Sequence, residues 1–145
     1  WLCAAPALAR LVARAHQFLT FTTMPATQYA VAEGLARDDV LTRQHAGWAR
    51  TRNALLALLE QAGFAVLPSP ATWFACIDLA TSGIALDDAT FSQRAVHEGG
   101  VATIPLSAFV EGGARTGVVR LCHCKDEAML AEGVRRLAVF RDGLA

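Results

Sequence analysis

From Val40 to the end of the chain the apolar pattern switches back and forth between a helical period and a strand period, and this alternation limits the fold more than any other feature. Leu41, Trp48, Leu55 and Leu59 lie along one stripe of a helix predicted from about Val40 to Ala62, with Arg43, Arg50 and Arg52 off the stripe. Gly63 fits the position just past its end. Phe64–Leu67 reads as a short strand stopped by Pro68-Ser69-Pro70, and Thr72–Leu79 as a better one, rich in aromatic and branched residues. Asp87 or Asp88 can cap a helix running towards Glu98, which Gly99-Gly100 ends. Val101–Ile104 is a predicted third strand closed by Pro105, and Leu106–Thr116 a loop with two adjacent glycines. Gly117–Cys124 is a fourth strand. Asp126 can cap a last helix with Leu130, Val134, Leu137 and Phe140 facing inward. Helix, strand, strand, helix, strand, strand, helix makes an α/β, two-layer sandwich: a small sheet with helices on one face.

Upstream of this block the pattern is helical alone. Pro6 suits a first helical turn, and Leu8, Leu11, Val12, Ala15, Phe18 and Leu19 follow at helical spacing. Pro25 can open a second helix carrying Ala26, Tyr29, Ala30 and Leu35, before a polar break at Arg37-Asp38-Asp39. These helices have no sheet of their own and are expected to pack on something outside the core. Composition agrees. Apolar residues make up 54% of the 145 and charged residues 18%, an excess that leaves some surface to be covered.

Formal net charge is zero and no basic stripe exists, so neither nucleic acid nor anionic lipid is an expected partner. No stretch is long and apolar enough to cross a membrane. The opening residues superficially resemble a secretory leader, yet Arg10, Arg14 and His16 recur through them and no charged segment precedes them, so an amphipathic helix of a soluble protein is expected. The first residue is Trp1 and not Met, so the visible start need not be a natural one. Of Cys3, Cys76, Cys122 and Cys124, three are expected in apolar surroundings; no disulfide framework is predicted, and a reducing cytoplasm fits.

Arg120 carries the most chemical information. It sits mid-strand in GVVRLCHC, where alternation puts Val118, Arg120, Cys122 and Cys124 on one face and Val119, Leu121 and His123 on the other. A guanidinium between such apolar neighbours cannot shed its proton and needs an anion held in fork geometry. Two readings fit: a salt bridge within the fold, or an arginine that waits for a substrate carboxylate.

Other combinations have plainer explanations. Cys122-His123-Cys124 looks metal-like, but alternation sends His123 away from the two thiols. His16, His45 and His97 are single helical histidines, Asp87-Asp88 is a capping pair, and Glu111-Gly112-Gly113 lacks the spacing and the lysine of a phosphate loop.

Five segments in order, HQFLTF at His16–Phe21 followed by Pro25-Ala26-Thr27-Gln28, ATWFACID at Ala71–Asp78, GVATIPLSAF at Gly100–Phe109 and VVRLCHCK at Val118–Lys125, resemble the class I/II aminotransferases of pyridoxal-phosphate (PLP) fold type I. The likeness is to the branch with the methionine aminotransferases and kynurenine–glutamine transaminases, and it covers nearly the whole chain.

That resemblance implies that residues 1–38 are helices ending a large PLP-binding domain, and that 39–145 form a C-terminal small domain with a mainly antiparallel sheet, which closes over substrate. It implies that Arg120 holds the substrate α-carboxylate, with Trp73 or Phe74 near the active-site mouth. Family members more often carry Tyr where Trp73 stands. The segment around Phe21–Pro25 would approach a dimer interface and the partner's active site; Met24 departs from the small or polar residue common there, so no polar role carries over to it. The Schiff-base lysine of the family precedes the segment matched by Trp1-Leu2-Cys3, which makes Lys125, the one lysine, a poor match for it. No catalytic residue is therefore assigned, and residues 1–145 are not expected to transaminate alone. The expectation is part of a cytoplasmic, homodimeric aminotransferase that uses PLP to move an amino group between an amino acid, Met or aromatic by the apolar leaning of the chain, and a 2-oxo acid. A related PLP β-lyase or cyclopropane-forming lyase, or a non-catalytic α/β ligand-binding module, stays open.

Overall fold

The computed structural model describes residues 2–113 and 116–144. Trp1, the loop residues Ala114 and Arg115, and Ala145, each within an expected segment, lie outside these. The chain forms two compact units, Trp1–Gln44 and His45–Ala145.

The first unit is helical. Helix α1 spans Pro6–Leu19 and α2 Pro25–Leu35, each started by its proline, whose missing N–H costs nothing in a first turn. Neither buries a single residue; Leu11, Phe18, Leu19 and Tyr29 are exposed. Helix α3 begins at Asp38, where Asp39 takes hydrogen bonds from both Arg37 and Arg43.

The second unit holds the core. Helix α3 runs on to Gln61 and buries Leu55 and Leu59. Strands β1 (Ala65–Leu67) and β2 (Phe74–Asp78), helix α4 (Asp88–His97), strands β3 (Ile104–Pro105) and β4 (Val118–Cys122), and helix α5 (Glu127–Asp142) follow. The sheet order is β1-β2-β4-β3 with every pairing antiparallel. Period-two alternation divides its faces. Ala75, Ile77 and Val119 are buried beneath Leu55, Leu59, Phe91, Leu130, Val134 and Leu137 of the helices. The opposite face presents Phe74, Cys76 and Arg120 half-buried and Cys122 exposed.

Caps fix the helix ends. Asp87 takes the Ala89 and Thr90 N–H groups at the start of α4, and Asp126 takes that of Met129 at the start of α5. Gly99 lets α4 end against α5: a Cβ there would lie 3.0 Å from the Ala95 carbonyl oxygen and 3.0 Å from Phe140 Cβ.

Two expectations shift. The third strand is not Val101–Ile104 but Ile104–Pro105, because the Thr103 hydroxyl is buried against Ser92 and the Val101 N–H bonds back to Ala95, holding that stretch to α4 until Ile104 reaches Arg120. Three of the four cysteines were expected in apolar surroundings, yet Cys3, Cys122 and Cys124 are exposed and only Cys76 is half-buried. Cys122 lies on the sheet face that no helix of this unit covers.

Candidate functional site

Arg120 lies on the uncovered sheet face, directly across from Cys76. Phe74 pairs with Cys122, so its ring and the Arg120 side chain are diagonal neighbours on that face. The guanidinium carbon stands 3.8 Å from the Phe74 ring centre and 4.7 Å from that of Phe109. Such stacking is worth about 0.5–2 kcal/mol, and it fixes the plane of the fork without using its donors. Among the described residues no carboxylate pairs with Arg120, and its Nε is buried without a hydrogen-bond partner. The internal salt bridge that composition allowed is therefore absent among these residues. Burial pushes the Cys76 thiol up from its ordinary value while the Arg120 charge pulls it the other way.

Phe109 arrives from a short 3-10 turn, Leu106–Phe109, inside the stretch read from sequence as a plain loop. The turn is tied down by Asp88, fully buried at the start of α4. One Asp88 oxygen, Oδ2, accepts the Ser107 N–H at 2.8 Å and the Thr116 hydroxyl at 2.8 Å. Capping falls to Asp87, which frees Asp88 for this second task.

Trp73 is 45% exposed, its ring 5.6 Å from that of Phe74 and 5.8 Å from that of Trp48. Trp48, Trp73, Phe74, Arg120 and Phe109 thus form one continuous stack, of which sequence reading named Trp73, Phe74 and Arg120. Trp48 read as core, and Phe109 carried no signal beyond its place in the GVATIPLSAF string.

His123 props this stack from behind. It is fully buried; its Nε2 lies 3.3 Å from the Thr72 carbonyl and its Nδ1 3.2 Å from the Thr51 hydroxyl. A carbonyl can only accept, so Nε2 carries a proton. Thr72 has φ of +69°, an uncommon conformation for a branched residue, and it turns the chain into Trp73 and Phe74. Alternation placed His123 opposite the cysteines, as found, but gave no hint of these partners.

A cavity of about 570 Å³ opens beside Arg120, bounded by Phe74, Leu121, Cys122, Val101 and residues of α5. Lys125 also lines it, exposed on the turn between β4 and α5. Among the described residues, Lys125 is the one amine. The described residues, with one exposed amine at a turn, do not by themselves fit PLP.

The fold, a small antiparallel sheet with helices, matches aminotransferase domains of fold type I. A structure of N-succinyldiaminopimelate aminotransferase from Mycobacterium tuberculosis superposes with a TM-score of 0.81 at 34% identity, over 95% of this chain and 36% of that one. A structure of a methionine aminotransferase from Escherichia coli gives 0.76 at 29% identity, over 94% of this chain and 36% of that one. In sequence, a methionine aminotransferase of Escherichia coli strain K12 is 32% identical over 137 residues, 93% of this chain and 35% of the relative. The family model for aminotransferase class I and II matches residues 1–137. The chain belongs to the class I and II aminotransferases. It spans about a third of the length of the relatives it matches. The family is PLP-dependent in general. Among the described residues, no helix is long and apolar enough to cross a membrane.

Proposed function

We propose that this chain is the substrate-anchoring part of a PLP-dependent aminotransferase that exchanges an amino group between an amino acid and a 2-oxo acid. Residues 1–38 are helices ending the cofactor-binding domain, and residues 39–145 form the small domain that closes on the substrate. In this reading the cofactor is held by residues outside this chain, in a cytoplasmic homodimer.

The observation that carries the reading is a guanidinium lying over two rings, on the sheet face away from the core helices, with no acid of its own among the described residues. A charged fork held flat and short of an anion suits an α-carboxylate taken at two oxygens. The flanking rings keep water from its faces, which strengthens the pair. A carboxylate held at two points fixes the orientation of the adjoining Cα, which is how an anchor contributes to rate. Trp73 and Phe74 lie at the mouth of the site, where their apolar surface favours methionine-like or aromatic side chains.

The test is steady-state transamination by the full-length protein. Replacing the anchor in Arg120→Ala should lower kcat/KM for amino acids by about 10²–10³-fold, the scale set by losing one partner of a desolvated charge pair. A loss smaller than tenfold would refute the assignment. Release of free ammonia, pyruvate and the expelled β-substituent, with no acceptor 2-oxo acid consumed, would show β-lyase chemistry on the same scaffold.

A further inference from the structure

We infer that Phe109 is a positioning residue for the carboxylate site, and that the buried carboxylate of Asp88 sets its place over Arg120. The inference rests on the anchoring role proposed for Arg120 and goes beyond it, to what fixes the guanidinium plane.

Strand register accounts for one of the two ring contacts. Phe74 belongs to β2, and the pairing of Phe74 with Cys122 and of Cys76 with Arg120 brings it beside Arg120 without help from any loop. The other half has no such support. Phe109 is 61% exposed and ends a 3-10 turn of four residues, a poor holder of an aromatic ring. What fixes that turn is Asp88 Oδ2. It grips the Ser107 N–H, two residues before Phe109, and the Thr116 hydroxyl on the far side of the same loop. Thr116 Oγ1 in turn accepts the Val118 N–H at the start of β4, the strand that carries Arg120. One buried oxygen therefore ties the loop to the arginine's own strand. The exposed Phe109 is not part of the core, and among the described residues its ring meets the guanidinium at 4.7 Å.

The consequence is an orientation effect on binding. Without the Phe109 ring the guanidinium keeps its charge and its Phe74 contact but gains freedom to swing, so substrate binding weakens more than turnover.

The experiment uses the full-length protein with Phe109→Leu, Phe109→Tyr, Asp88→Asn, the Phe109→Leu/Asp88→Asn double variant and Arg120→Lys, each assayed for KM and kcat with one amino acid. Phe109→Leu should raise KM on the order of fivefold, the size of one partly desolvated cation–π contact, with kcat within twofold. Phe109→Tyr should restore the parent KM. Asp88 Oδ1 also accepts the Ala89 N–H at 3.1 Å, so the amide of Asp88→Asn must turn its own N–H towards a donor on one side; it should raise KM likewise, and the double variant should be no worse than the poorer single one, because Asp88 acts through Phe109. An unchanged KM in Phe109→Leu, or additive losses in the double variant, overturns the inference while Arg120→Lys still impairs binding. If Arg120→Lys itself binds normally, the anchoring reading falls and takes this one with it.

Discussion

The Arg120 guanidinium and the Phe74 ring meet at 3.8 Å because one register puts them on adjacent rungs of the same sheet face. That contact is made in the absence of any acid partner among the described residues, so charge here is stored and not spent on holding the fold.

It follows that removing the charge leaves stability intact. Arg120→Leu in the full-length protein should melt within about 2 °C of the parent or above it, since apolar replacement of an unpaired half-buried charge is neutral or stabilising. A carboxylate substrate analogue should raise the melting temperature of the parent and leave that of the variant unmoved. A variant that melts far lower would mean that Arg120 is structural.

His123 should behave in the opposite way. Its ring is fully enclosed and its two nitrogens meet Thr51 and the Thr72 carbonyl. His123→Ala opens a void and strands the Thr72 carbonyl, at a cost of about 2–4 kcal/mol. Urea unfolding of both proteins measures this directly. A shift below about 0.5 kcal/mol would show that the Thr72 turn holds itself.

Gly99→Ala tests the closest approach of α4 to α5. The added methyl group would stand 3.0 Å from a backbone oxygen and from Phe140 Cβ, neither of which can swing aside as a flexible side-chain tip would. A loss of about 1–3 kcal/mol is expected from such overpacking, against little change for Gly34→Ala or Gly133→Ala, where nothing lies within 4 Å. Thermal melts of the three variants side by side would settle the ranking.

Acid should weaken the fold through two carboxylates of one sign. Burial works against the Asp88 charge, but bonds from the Ser107 N–H and the Thr116 hydroxyl outweigh it and hold its carboxyl below the ordinary 3.8. Hydrogen bonds from Arg135 and Arg136 draw Glu132 from 4.5 down to about 2. A folded-state pKa below the unfolded one means that the unfolded chain takes up more protons in the interval. Each group therefore stabilises fully above its unfolded value, and that contribution fades as pH falls through the folded value. Glu132 lies at the surface, so added salt should erode its share; enclosed Asp88 should resist salt. Melting temperature against pH below about 5 should fall less steeply in Asp88→Asn than in the parent. Parallel curves would remove Asp88 from the account.

Sequence made most of this architecture readable where one rule acted alone. Leu130, Val134, Leu137 and Phe140 follow a helical stripe, and all four are buried. Asp87 and Asp126 announce helix starts and cap them. Arg120 stood out as an odd charge in an apolar strand, whereas Trp73 and Phe74 came to notice only through the family resemblance. Tertiary partnerships were not visible. Val101–Thr103 has strand-forming residues, but a hydroxyl buried against Ser92 keeps it off the sheet. Phe109 looks like any loop aromatic until Asp88 reaches across 19 positions to hold its turn. His123 is one polar residue among thiols until Thr51, 72 positions away, meets its ring. No periodicity encodes such meetings.

The two sides of this sheet answer to different masters. Positions 75, 77 and 119 point to the helices, and positions 74, 76, 120 and 122 point the other way, so a substitution on one side leaves the packing of the other in place. An engineer can therefore change every second residue of two strands while the interior stays as it was. New specificity then need not begin with a loss of foldedness.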